Sequence, residues 1–413
     1  MMKQPELLAP AGNFESLEAA FLSGADAVYL GMGVLNLRAY SDNFIVTDLP
    51  QIMELAHRFQ GKIYVVLNIL PNDTELESVR EFLQEMVAQS HRPHAFIVSD
   101  PGVLVLCKEY CPDIELHLST QTGTFNTESV RFWVKQGIRR VVLPREFDSS
   151  QIAQIVGASL CETEIFVHGA LCMSLSGRCL MGAYYDGRHP NHGECSQPCR
   201  FPYDLIPHGT SSQDPSPSFA LRLEQDERGT YIFNSKDLNT LPLLPSLLSL
   251  GADSLKIEGR NKSVNYITTV VRAYRIVIDT LMKDPSSGVD PALVEQLNEL
   301  DHRPYTTGFL GGDNQLQSTG YAKEKSKIRV LGRVKDVLTG GRAVVDVKNP
   351  IVCGEALSLL PVNQKKGPCK VRVSGIYDLS GNLVERAVTN RLVVVVLEGG
   401  VKLRIGDMLR RTI

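Results

Sequence analysis

Ile63-Tyr64-Val65-Val66-Leu67, then an amphipathic stretch from Glu75 to Ala88, then Ala95-Phe96-Ile97-Val98, is the part of the sequence that decides the fold. The two short apolar, β-branched runs read as buried strands, and the segment between them carries a helical period. Strands joined through a helix pair in parallel, with a right-handed crossover. The alternation continues in both directions. Upstream lie Glu6-Leu7-Leu8-Ala9 and Ala27-Val28-Tyr29-Leu30; downstream lie Ile114 to Leu118, Arg140 to Leu143, Glu164 to Val167 and Ser254 to Ile257. Helical segments at Ser16 to Ser23, Leu49 to Phe59, Thr127 to Gln136 and Ser150 to Ile155 separate most of them. Eight such units in roughly 280 residues predict an α/β fold, a (β/α)8 TIM-like barrel, for which about 250 residues is typical. No G-x-G-x-x-G follows the first strand, which disfavours an open dinucleotide-binding sheet.

The rhythm breaks between the seventh and eighth runs, where residues 169–253 form a cysteine-bearing insertion. Its Pro/Ser-rich stretch, Pro207 to Ser218, reads as surface loop. Residues 1–285 are therefore expected to be the barrel with its insertion, and 286–325 a linker containing one helix, Pro291 to Leu300. Beyond it the period changes to two, in Ile328 to Val330, Ala343 to Val347, Val371 to Val373 and Leu392 to Val396. Residues 326–413 thus read as a small C-terminal all-β barrel domain.

A net charge of −3 over 413 residues excludes a histone-like binder of nucleic acid but not a local basic patch. No run approaches the roughly 18 apolar residues of a membrane span. The start, Met1-Met2-Lys3-Gln4-Pro5-Glu6, lacks the apolar region of a secretory signal. The expectation is a cytoplasmic protein with no membrane contact, where nine cysteines are not a disulfide framework.

Four of the nine stand together. Six residues separate Cys172 from Cys179, fifteen separate Cys179 from Cys195, and three separate Cys195 from Cys199. Gly177, Gly182, Gly187, Pro190, Gly193 and Pro198 lie between them, so this segment can wrap around a point. Four thiolates suit either tetrahedral zinc or a [4Fe–4S] cluster. The close pair Cys195/Cys199 matches zinc usage, while the wider Cys172/Cys179 spacing favours the bulkier cluster. Cys172 follows the seventh strand, on the face where barrel enzymes place their chemistry. Cys107, Cys111, Cys161, Cys353 and Cys369 read as small buried apolar side chains.

Several stretches together resemble the signature of peptidase family U32. They are Glu6 to Gly12, Glu164 to Cys172 continuing through Cys179, Pro190 to Arg200, Asn234 to Leu238, Lys256 to Arg260 and His302 to Phe309. The family takes its name from collagenase-like activity ascribed to a few members. Others are hydroxylation proteins that act on tRNA, rRNA or ubiquinone precursors without molecular oxygen. The resemblance implies a [4Fe–4S] cluster on Cys172, Cys179, Cys195 and Cys199, with prephenate as cosubstrate and oxygen source. The branch most alike implies a tRNA substrate and 5-hydroxyuridine formation at the wobble position. Some relatives carry a cysteine ligand directly after Ser-Lys-Asp-Leu; here that residue is Asn239, which leaves Cys199 or an open iron in the fourth place. His189 stands where relatives often have an acid.

A dicarboxylate such as prephenate calls for cations, arginine above all. Arg145 and Lys236, with Arg38 and Arg260, are the candidates, against the reading that each is a structural ion pair with Glu146, Asp237 or Glu258. His168 ends the seventh strand and suits either proton transfer or orientation of the Cys172 loop. Asn68, Gln121 and Asp100 follow strands and are placed at the pocket. Lys365, Lys366, Lys370, Arg372, Lys402, Arg404, Arg410 and Arg411 give the C-terminal domain a basic tendency suited to RNA. Two other readings compete. A peptidase lacks support from H-E-x-x-H or G-x-S-x-G. A non-catalytic cluster scaffold would act beside a hydroxylase partner protein.

Overall fold

A computed structural model of the chain describes residues 3–33, 35–37, 43–176, 179–192, 194–201, 224–226, 229–231, 234–312, 316, 324–362, 367–398 and 401–413. Eight strands form the expected parallel barrel: β1 Glu6–Ala11, β2 Ala27–Gly31, β3 Lys62–Leu67, β4 Ala95–Val98, β5 Glu115–Leu118, β6 Arg140–Val142, β7 Glu162–Ala170 and β8 Ser254–Ile257. Each pairs in parallel with its predecessor up to β7, and β8 pairs in parallel with both β7 and β1, which closes the ring. The strands are buried on both faces because helices cover the outside and side chains fill the inside. Helices begin where the sequence supplies a cap: Asn13, Asn72, Asp100, Asn126, Asp148 and Ser263 each accept a hydrogen bond from a first-turn amide.

The barrel interior is partly ionic. Glu164 of β7 is wholly buried. Its carboxylate accepts from Lys256 Nζ of β8 at 2.8 Å and from Arg140 Nη1 of β6 at 3.2 Å. Arg140 also reaches Glu162 at 2.8 Å and Glu6 at 2.5 Å. Tyr64 OH donates to Glu6 at 2.7 Å. Burial acts to raise the Glu164 carboxyl, but the charges of Lys256 and Arg140 outweigh it and bring its pKa down to about 2.

Between β7 and β8 the chain leaves and returns at one place. The end of β7 pairs antiparallel with the short strand Asp237–Asn239, Ala170 opposite Asp237 and His168 opposite Asn239. Tyr305–Thr306 adds to that strand in parallel. The helix Pro291–Asn298 lays Leu293 and Leu297, with Leu300 beyond it, into the barrel's own apolar core. The described part of 286–325 thus packs on the barrel, because its leucines recur at helical spacing on one face.

The C-terminal domain is a closed antiparallel barrel of β9 Ile328–Leu338, β10 Arg342–Val347, β11 Ala356–Leu360, β12 Cys369–Tyr377, β13 Leu392–Leu397 and β14 Met408–Thr412, in the order β9-β10-β13-β12-β11-β14. Two corrections concern its surface. Arg410 is buried and pairs with Glu299 at 3.5 Å, because it lies against the first barrel, and Arg411 is bonded to Glu355. Cys369 is exposed at the first position of β12 and Cys353 in the turn after Ile351–Val352, outside the barrel strands, whereas Cys107 and Cys111 are buried as expected. Lys365 and Lys366 lie outside the described residues. Among the described residues no helix is long and apolar enough to cross a membrane.

Removing Glu164 leaves two buried cations without their shared partner, so Glu164→Ala is expected to cost about 3–5 kcal/mol in urea unfolding. The folded pKa lies below the ordinary value of 4.5, so the Glu164 contribution is complete above pH 4.5 and is lost as the pH falls toward about 2. An unchanged urea midpoint in the variant would show that the ion cluster is not part of the fold's support.

Candidate active site

A pocket opens at the C-terminal mouth of the barrel, where strand ends and the insertion meet. Asn68 follows β3, Ser119 to Gln121 follow β5, Arg145 follows β6, and Lys256, Glu258 and Arg260 come from β8 and the turn after it. The insertion supplies the remaining wall with Cys172 to Ser176, Cys179, Asn191, Cys195 and Cys199. All four candidate ligands therefore face one space. Cys172 is exposed and the other three are half-buried. Burial pushes the Cys199 thiol up, Arg200 opposes this, and Cys172, Cys195 and Cys179 push it further up. Among the described residues no three His, Cys, Asp or Glu side chains are gathered tightly enough to hold a single metal ion.

The cysteine segment is fastened from several sides. Both oxygens of Glu146, in the loop after β6, accept from Ser176, from its N–H at 2.6 Å and its hydroxyl at 2.9 Å. Ser235 Oγ donates to the Leu171 carbonyl at 2.7 Å. His192 Nδ1 lies 3.0 Å from Glu75 Oε1, at the N-terminal turn of the helix after β3. Leu70 N–H donates to the Asn191 carbonyl at 3.0 Å, and Asn191 Nδ2 to the Cys179 carbonyl at 3.2 Å. Gly169, at φ +108°, allows a close approach to the turn after β8: a Cβ there would lie 2.5 Å from the Glu258 carbonyl oxygen.

Two cations share one aromatic ring on the pocket floor. The Arg145 guanidinium stacks 3.7 Å from the centre of Phe166, and Lys256 Nζ lies 5.5 Å from the same ring and 4.5 Å from that of Tyr29. Glu146 is engaged by Ser176, and among the described residues Arg145 has no carboxylate partner. Lys256 is buried; desolvation lowers its pKa and Glu164 opposes that shift. Arg260 donates to Asn36 and lines the pocket. Two adjacent positive charges in a cleft favour an anionic occupant.

The profile of peptidase family U32 matches residues 12–320. The chain belongs to peptidase family U32. Among its relatives, the tRNA hydroxylation protein P of Escherichia coli K12 is 36% identical over 399 residues, 87% of this chain and 86% of that protein. The 23S rRNA 5-hydroxycytidine C2501 synthase of the same organism is 33% identical over 285 residues, 68% of this chain and 40% of that one. A collagenase of Porphyromonas gingivalis is 34% identical over 286 residues, 66% of this chain and 65% of that one.

Of the residues singled out from the sequence of this U32 chain, the four cysteines, Arg145, Arg260, Asn68 and Gln121 line the pocket; His168, Lys236 and Asp100, which caps the helix Pro101–Tyr110, do not. His168 is buried among the rings of Tyr266, Tyr274 and Tyr305, with Tyr274 OH 3.4 Å from its Nδ1. Burial holds its pKa down to about 3, with the Lys262 and His302 charges acting the same way, so the imidazole is neutral near pH 7. A β-bulge at Val167, where Lys256 stands opposite Phe166 but Ile257 stands opposite His168, breaks the alternation and turns the His168 ring away from the face that carries Phe166. Lys236 is half-buried, and its N–H is tied to the Leu316 carbonyl. Asn239 is buried and its side chain accepts from the Leu241 amide. His189 is exposed. Arg38 lies outside the described residues. Lys256 and Glu164 were not read as site residues, although a charge inside each apolar strand run was the available signal.

Replacing Glu146 by alanine frees both bonds to Ser176. A charged hydrogen bond contributes about 1.5–3 kcal/mol, so hydrogen exchange at the Ser176 amide is expected to quicken roughly 10- to 150-fold in Glu146→Ala. Exchange at the wild-type rate would mean that the segment is held by other contacts.

Proposed function

We propose that this protein is an iron–sulfur-dependent, O2-independent RNA hydroxylase that forms 5-hydroxyuridine at the tRNA wobble position, in the cytoplasm, with prephenate as oxygen source. The observation that carries the reading is the sharing of one pocket by four cysteine thiols and the cation pair on Phe166. Relatives named for tRNA hydroxylation and for rRNA 5-hydroxycytidine synthesis support RNA hydroxylation as the reaction class.

The donor set fits a [4Fe–4S] cluster. Cys172, Cys179, Cys195 and Cys199 would hold it, and among the described residues that line the pocket Glu258 is the one carboxylate. Zinc on the same four thiolates, with bonds of about 2.3 Å to sulfur, is the alternative occupant. Bound here, the cluster supplies electron transfer or Lewis acidity. The protein's own residues bind and orient. Arg145 takes a carboxylate through its planar fork, held flat by Phe166. Lys256 supplies the second charge from a position fixed by Glu164. The amides of Asn68 and Gln121 offer donors and acceptors at the pocket wall, as a pyrimidine edge needs.

The peptidase reading rests on the collagenase relative. Thiol proteolysis requires an imidazole against the nucleophile. Among the described residues no histidine lines the pocket, and His168 is buried elsewhere as a neutral ring.

Deletion of the gene is expected to remove 5-hydroxyuridine from bulk tRNA, measured by nucleoside mass spectrometry, with recovery on wild-type complementation. A wild-type level of the nucleoside in the deletion strain would contradict the tRNA assignment. In purified protein, Arg145→Met is expected to weaken prephenate binding by roughly 10- to 150-fold, the loss of one charged hydrogen-bonding partner. Unchanged affinity by calorimetry would remove Arg145 from the anion site.

A further inference from the structure

We infer that the exposed apolar face of the cysteine-bearing segment is a stacking ledge for the RNA nucleotides that flank the reacting base, an inference that rests on the RNA reading above. Six large apolar side chains stand in water within this one short segment: Met173, Leu175, Leu180, Tyr184, Tyr185 and Phe201. Tyr184 is 85% exposed. The C-terminal barrel has a second group, Leu379, Leu383, Val388 and Leu392, but that group is aliphatic and none of its members lines the pocket. A local concentration of them marks an interaction site.

Two observations identify the occupant. First, the ledge is continuous with the pocket. Met173 and Leu175 are at once exposed and part of the pocket lining, and the helix Met181–Tyr185 packs on the turns Pro190–His192 and Pro198–Arg200 that carry the lining residues Asn191 and Cys199, so a polymer with one unit in the pocket has this segment beside its neighbouring units. Second, the segment combines aromatic rings with an exposed guanidinium. Arg188 follows Tyr184 and Tyr185 in sequence, with its side chain 57% exposed and 3.9 Å from Asp186. Rings stack on bases of any identity, and arginines meet phosphates or stack in turn. The backbone beneath is fixed. Tyr184 N–H donates to the Leu180 carbonyl at 3.1 Å, the segment is fastened at Ser176, and Arg200 reaches the Leu171 carbonyl at 3.4 Å. A fixed ledge keeps the ordering cost of binding low.

The test measures binding of a synthetic anticodon stem–loop RNA to the anaerobically purified full-length holoprotein by fluorescence anisotropy. Variants are Tyr184→Ala, Tyr184→Phe and Arg188→Ala, each checked for unchanged visible absorbance and prephenate binding. Tyr184→Ala is expected to weaken RNA binding by about fivefold or more, and Tyr184→Phe to stay within about twofold of wild type. Arg188→Ala is expected to flatten the salt dependence by about one unit of slope, which Tyr184→Ala leaves unchanged. Wild-type RNA affinity in Tyr184→Ala overturns the ledge while leaving the RNA reading intact. Wild-type RNA affinity with an altered oligomeric state in Tyr184→Ala also overturns it and assigns the face to a protein contact. Absence of RNA binding by the wild-type protein removes the RNA reading and the ledge with it.

Discussion

A carboxylate wholly withdrawn from the surface has to be met by positive charge, and Glu164 is met by two cations at once. Arg140 approaches from β6 and Lys256 from β8, so a single side chain of β7 ties together three neighbouring strands across the point where the barrel closes. Arg140 extends the pattern to Glu6 and Glu162 at the opposite end of the strands. Aliphatic layers of the usual barrel interior give no such directional demand. Buried ion pairs are a weak source of net stability, but a shifted register would strand several charges here. The same network holds the Lys256 ammonium at the pocket floor, where it can act on an occupant. Fold and site thus depend on one interaction.

The rim follows from how the insertion is tethered. The chain departs at Ala170 and comes back at Asp237, and these two residues are paired in the antiparallel strand that prolongs β7. Whatever the excursion does, its ends are pinned together over the barrel mouth. Glu146, Glu75 and Ser235 then fasten its first part, which brings Cys172, Cys179, Cys195 and Cys199 to the same wall. Arg145 and Glu146 are neighbours in sequence with separate duties: one presents a cation to the pocket, the other grips the segment that carries the cysteines.

Much of this was legible in the sequence, for reasons that can be named. The barrel strands showed because β-branched runs such as Ile63 to Leu67 alternate with capped amphipathic helices. The grouping of the four cysteines stood out because their spacing and turn formers are unlike the surroundings of a buried filler cysteine such as Cys107, and the structure puts all four on one pocket. Three features did not show. The inward-facing charges Glu164, Arg140 and Lys256 sit inside apolar runs, and only the closed barrel reveals that they face one another. His168 follows an apolar run, as pocket residues often do, yet a bulge at Val167 reverses the alternation and its ring turns into a cage of tyrosines. β11 and β14 were missed because Ala356–Leu360 and Met408–Thr412 are short and alternate imperfectly, and their pairing partners lie far off in sequence.

The central claim is that the four thiols at the barrel mouth hold one inorganic cluster. Quantifying iron and acid-labile sulfide in anaerobically purified protein, for the wild type and for each of the four Cys→Ala variants, tests it most directly. About four irons and about four sulfides per chain are expected in the wild type, with marked loss in every variant. Stoichiometric zinc, or iron retained at the wild-type level when these cysteines are removed, would contradict the account.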